Sequence, residues 1–174
     1  MDLQSWVLFS EIAAGIAVVI TLVILIISIR QNTRSQKVVA VDSLAAAIAA
    51  INVPAIESHK VGAAVSKAIT DWDSASREER IMAHYFLFSF FKLLENGWYQ
   101  RKARILDRSQ WQGWDNMLRK YYHSPGVKDV WWPNRSNAFS PSFQDYLSET
   151  TEPEGIGRLS DIFEEKPIHT DAGN

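Results

Sequence analysis

Cysteine is absent from the 174-residue chain, which excludes disulfides, thiolate metal sites and cysteine nucleophiles. Positive side chains are absent from the first stretch: all 18 Lys and Arg lie at or after Arg30. Between Ile12 and Ile29 there is no charge of either sign. Neither proline nor glycine interrupts the chain between Arg30 and Val53, so nothing there stops a helix. Strand-like alternation and internal repeats are also missing. The histidines His59, His84, His123 and His169 show no metal-ligand spacing. No GxSxG or phosphate-binding loop occurs, and Gly155–Gly157 lacks the strand, helix and third glycine of a dinucleotide loop. No catalytic residue, metal or cofactor is therefore expected. The net charge is -2, and with Asp2 and Glu11 set aside the remaining acids balance the bases. A neutral domain gives no reason to expect nucleic acid as a partner.

What is present is a long apolar run, WVLFSEIAAGIAVVITLVILIISI, from Trp6 to Ile29. As a helix it spans roughly 30 Å or more, enough for a bilayer core. Its many β-branched residues lower helix propensity in water, but in lipid every backbone group must bond internally, so a helix is forced. A cleaved signal peptide would want a basic start, a shorter run and a small-residue cleavage site. The start here is acidic, the run is long and IISIRQNTRSQ offers no such site. A buried core helix is the plainer alternative, and the uninterrupted apolar character on all sides argues against it. The expectation is an uncleaved transmembrane anchor over residues 1–30. Trp6 stands where an interfacial aromatic belongs, and Arg30, Arg34 and Lys37 follow the exit as headgroup contacts. By the positive-inside rule the N-terminus lies outside and the rest in the cytoplasm.

Ser10, Ala14, Ala17, Thr21 and Ser28 fall within roughly 40° of one line along this helix. Such a stripe lets helices approach closely in lipid, and predicts packing against itself or another membrane protein. The plainer alternative is that these small residues simply face lipid. Val41, Leu44, Ile48 and Ile51 form an apolar stripe on about the opposite side, suited to docking the chain's own domain.

The fold class expected is all-α: one N-terminal transmembrane helix followed by a small cytoplasmic helical bundle over residues 31–149. Asn52 and Pro54 suggest a helix restart running to about Thr70. Ser76-Arg77-Glu78-Glu79 reads as a capping box, opening a helix that is nearly apolar from Ile81 to Leu94 and central to the bundle. Ser109 reads as a cap for QWQGWDNMLRKYY, His123–Gly126 as a turn, VKDVWW as a short helix, and Ser140-Pro141 as the start of PSFQDYLSE. Residues 150–174 carry six acids and two bases and read as a flexible tail, with RLSDIF as its docking candidate.

Near the end of the central helix, Glu95, Asn96 and Tyr99, with His84 further back, form a candidate buried polar network. Lys92, Arg101 or Arg104 could neutralise the carboxylate. The network reads either as a packing device or as a ligand-binding or acid–base group. Arg101, Lys102, Arg104 and Arg108, beside Trp98, Tyr99 and Trp111, read as a solvated helix end or a second lipid-facing patch.

The exit segment IRQNTR, the run Phe91-Lys92-Leu93-Leu94-Glu95-Asn96-Gly97-Trp98-Tyr99, Trp111–Trp114 and Pro125–Trp131 occur in that order. In this the chain resembles a group of uncharacterised bacterial membrane-anchored proteins, up to about Tyr146. The resemblance implies location in the bacterial inner membrane and no established activity. The leading expectation is a non-enzymatic, membrane-anchored interaction or assembly subunit. The alternatives are an oligomeric pore or transport accessory, with Ser10, Thr21, Ser28 and Glu11 around a shared axis, or a small-ligand sensor built around Glu95.

Overall fold

The computed structural model describes residues 3–155. Five α-helices account for most of them: α1 (Leu3–Glu57), α2 (His59–Thr70), α3 (Arg77–Lys102), α4 (Arg108–Tyr122) and α5 (Pro141–Ser148). A π-helical turn at Gly126–Trp131 and a 3-10 turn at Ser136–Ala138 join α4 to α5, and the described residues contain no strand. The all-helical expectation is met. The chain divides into two compact units, Met1–Asp42 and Ser43–Asn174, so α1 contributes to both.

The first unit is helical. α1 is long and apolar enough to cross a membrane, and none of its most apolar stretch is buried. The twelve large aliphatic side chains between Ile12 and Ile29 stand 49–60% exposed. Thr21 and Thr33 donate their hydroxyls to the carbonyls of Ala17 and Ile29, at 2.8 and 2.9 Å. Both polar groups are thereby satisfied inside the helix itself.

The second unit is built around α3. The predicted capping box is present: Ser76 Oγ accepts from the Glu79 amide at 3.2 Å, and Glu79 Oε2 accepts from the Ser76 amide at 2.6 Å. Glu79 also accepts from Lys67 Nζ at 2.9 Å, which ties α2 to the start of α3. Ala83, Leu87, Phe90, Phe91, Leu94 and Trp98 recur at helical spacing and are buried. Leu44 and Ile48, from the last part of α1, are buried as well, and Leu44 lies beside Gly97 of α3. Aromatic rings close the other side. Phe91 lies 5.4 Å from both Trp131 and Trp132, and Phe139 and Phe143 continue the stack.

Three local expectations are corrected. Pro54 does not restart a helix; it sits inside α1, and the break comes at Ser58, whose backbone is extended (φ -136, ψ 111). Pro54 lacks an N–H, but its carbonyl still accepts from Ser58 N at 3.0 Å, so the helix survives one more turn. Asp107 rather than Ser109 precedes α4, with Gln110 reaching back to the Asp107 amide at 3.4 Å. The tail does not come loose at residue 150. Arg119 donates twice to the Thr151 carbonyl, at 2.8 and 2.5 Å, Lys120 pairs with Glu152 at 2.7 Å, and Pro153 is buried. The RLSDIF segment and His169 lie outside the described residues.

Candidate functional site

The sequence points to three groups of residues, and the structure treats them differently. The stripe Ser10, Ala14, Ala17, Thr21 and Ser28 lies within α1, as its helical spacing requires. Ala14, Ala17, Thr21 and Ser28 are exposed, as are their aliphatic neighbours. Thr21 has already committed its hydroxyl to Ala17, so what this face offers a partner is chiefly shallowness. Trp6 is 60% exposed, and Arg30 and Arg34 are exposed beyond the apolar run, with Lys37 half-buried.

The polar group near the end of α3 does not form the single network expected. Glu95 is 8% exposed and accepts from two directions. Lys92 Nζ lies 2.8 Å from Oε2, and the Ser140 amide 2.7 Å from Oε1. Burial pushes this carboxyl up, but the bonds from Lys92 and Ser140 outweigh it and hold the group below its ordinary value. Ser140 precedes α5, so the carboxylate also sits at the positive end of that helix. Lys92 completes the clamp by lying 4.6 Å from the Phe139 ring centre. The Lys92 contact stays within α3, and the Ser140 contact pins the start of α5 to α3.

Asn96 and Tyr99 are not part of it. Asn96 is exposed and Tyr99 is 43% exposed, because the buried face of α3 runs through Leu94, Glu95 and Trp98 and leaves them outside. His84 is about three turns away along α3 and has its own partner. Trp131 Nε1 donates to His84 Nδ1 at 3.1 Å, so the neutral ring carries its proton on Nε2. Burial, and then the positive charge of Arg135, holds its pKa below 6.5. Among the described residues no three His, Asp or Glu side chains gather as a metal site would need.

The basic edge at Arg101, Lys102, Arg104 and Arg108 borders a shallow groove of about 450 Å³ with Trp98, Trp111, Asp115 and Tyr146. Lys102 lies over the Trp98 ring at 4.6 Å. Asp115 answers part of this charge, being bonded by Tyr146 and paired with Arg119 at 3.6 Å.

A second cationic surface emerges only in the fold. Arg77, Arg80, Ile81, His84 and Tyr85 line one wall of a larger cleft. Half of its signal is present in the sequence, since steps of three and four put these residues on one face of α3. What hides it is the opposite wall, Trp131 and Arg135, which lies some fifty residues away in sequence. No protein family, curated protein or solved structure matches this chain.

Proposed function

We propose that the chain is a single-pass, membrane-anchored interaction or assembly subunit, without enzymatic activity, of the bacterial inner membrane. The N-terminus lies outside and the helical domain in the cytoplasm. The observation that carries the anchor is the bare apolar surface between Ile12 and Ile29. Twelve aliphatic side chains at about 1.5–3 kcal/mol each represent on the order of 20 kcal/mol of transfer free energy that only lipid or another apolar surface would recover. The orientation rests on Arg30, Arg34 and Lys37, with no positive side chain ahead of them. The bacterial location rests on the resemblance of the IRQNTR exit and the aromatic motifs.

The assembly role rests on the shallow face of α1. Lipid offers no hydrophobic force between helices, so close packing depends on small side chains. That Thr21 bonds to Ala17 favours steric packing over a polar, lumen-lining face. The test is Ala17→Leu in the full chain, read by crosslinking and native mass analysis after mild detergent extraction. Leu inserts at least as well as Ala, so membrane retention is expected together with loss of the complex. Val19→Leu and Ile26→Leu, on the opposite side, are expected to change nothing. Equal assembly of all three variants would reduce α1 to a plain anchor. A reporter fused after Asn174 should give a cytoplasmic signal; a periplasmic one would reverse the orientation.

A further inference from the structure

The cleft beside α3 encloses about 700 Å³ and is lined by three guanidinium groups, Arg77, Arg80 and Arg135, with His84, Trp72 and Trp131 between them. No carboxylate lines it, although Asp73, Glu78, Glu79 and Asp129 are close in sequence. Glu79 is taken up by Lys67 and the Ser76 amide. Arg80 is held in place by the carbonyls of Ala75 and Asp73, at 2.8 and 2.9 Å, which leaves its Nη1 uncommitted. Arg135 spends one N–H on the adjacent Asn134 carbonyl at 2.9 Å. With its Nδ1 used by Trp131, His84 has a single remaining donor, Nε2–H. These are donors without acceptors: a surface complementary to an anionic head such as phosphate or carboxylate.

A second cavity adjoins the first. It holds about 500 Å³ and is lined by Ile51 and Pro54 of α1, Val61 of α2, and Met82, Phe86 and Ser89 of α3. Ile81 and Tyr85 line both cavities and so stand between them. Both side chains are exposed, at 42% and 67%, so nothing within the described chain covers the junction. Both volumes fall in the range of ordinary small-molecule sites. A cationic cleft beside an apolar groove fits one kind of occupant, with charge at one end and hydrocarbon at the other.

We infer that this composite site binds an anionic amphiphile, a single-chain lipid whose phosphate or carboxylate head meets Arg77, Arg80 and Arg135 and whose chain lies along the groove past Tyr85. The inference is independent of the packing face on α1, and neither depends on the other. The test uses the full chain in a nonionic detergent, with bound ligand counted by native mass spectrometry. The probes are palmitoyl lysophosphatidate, palmitate, palmitoyl lysophosphatidylcholine and inorganic phosphate. One equivalent of lysophosphatidate or palmitate is expected to be retained, and whichever binds more tightly identifies the head. The zwitterionic lysolipid, with the same chain, is expected to bind weaker by roughly tenfold or more. Arg77→Gln with Arg135→Gln should remove that preference, and both positions are exposed, so folding is spared. Ser89→Trp should block the chain by filling the groove. Arg101→Gln with Arg104→Gln, on the other basic edge, should leave binding intact. Equal binding of the two lysolipids would overturn the inference without recourse to any variant. So would retention unchanged in the Arg77/Arg135 variant, or inorganic phosphate binding as tightly as the amphiphiles.

Discussion

Gly126 opens the π-helical turn that carries Trp131 into the core, and it does so in contact with the C-terminal end of α2. An ideal Cβ placed on it would stand 1.9 Å from the Ala68 carbonyl oxygen, 3.0 Å from the Ala68 carbonyl carbon and 3.1 Å from that of Ile69. All three are backbone atoms, so no side chain can rotate out of the way. Ala68 and Ile69 are themselves 0% and 3% exposed, and shifting them disturbs the core on the far side of α2. At a permissive site Gly→Ala stabilises by about 0.4–1 kcal/mol, through a less free unfolded chain. Here overpacking of about 1–3 kcal/mol, or more against rigid backbone, outweighs it, so Gly126→Ala should destabilise by roughly 2–3 kcal/mol. That corresponds to a fall in Tm on the order of 10 °C. Tryptophan fluorescence is the suitable readout, since Trp98, Trp111, Trp131 and Trp132 are buried in this unit while the helicity of α1 would mask the change in far-UV dichroism. Gly113→Ala is the matched control. It lies in α4, where an added Cβ meets nothing within 4 Å, and should stabilise by about 0.8–1 kcal/mol. A Gly126→Ala protein melting at or above the parent would refute the close approach of the turn to α2.

Phe91→Ala should cost about 3–5 kcal/mol, because the ring is fully buried among Trp131, Trp132 and Phe139. Phe88→Ala should cost less, since that ring is only half-buried; equal melting shifts would mean the stack is not the centre of the unit. Glu95→Ala should destabilise by about 1–3 kcal/mol by orphaning the Ser140 amide, and Glu95→Gln by less, since it keeps an acceptor there; urea titration of both variants checks the order. Stability should also fall on acidification below pH 6.5. Burial, then Lys128 for His123 and Arg135 for His84, holds both histidines below that value, so the unfolded chain binds their protons first. Their contribution is complete above 6.5 and is lost as pH falls through the folded values; a flat melting temperature between pH 7.5 and 5.5 would contradict it. Glu95, held below 4.5, adds a further loss at lower pH.

The helical class, the long apolar N-terminal stretch and the capping box at Ser76 are legible in the sequence, because each depends on neighbours within a turn or two. Period, charge and capping chemistry are local, and the chain between Arg30 and Val53 contains nothing to break a helix. The spacing along α3 likewise exposes its buried face and marks Glu95 as a carboxylate in need of partners. Which partners it takes is not local. Lys92 is one turn away, but the Ser140 amide is 45 residues distant and arrives only because Phe139 and Phe143 pack into the core. The same holds for His84, whose donor is Trp131, and for the exclusion of Asn96 and Tyr99, which a rotation about the α3 axis decides. One wall of the cationic cleft follows from the helical spacing along α3, but its closure belongs to the tertiary structure. Arg77 and Arg80 read as ordinary polar residues near a helix start until the π-helical turn brings Trp131 and Arg135 across from them, and side chains so far apart in sequence converge only once the core has set the path of the backbone.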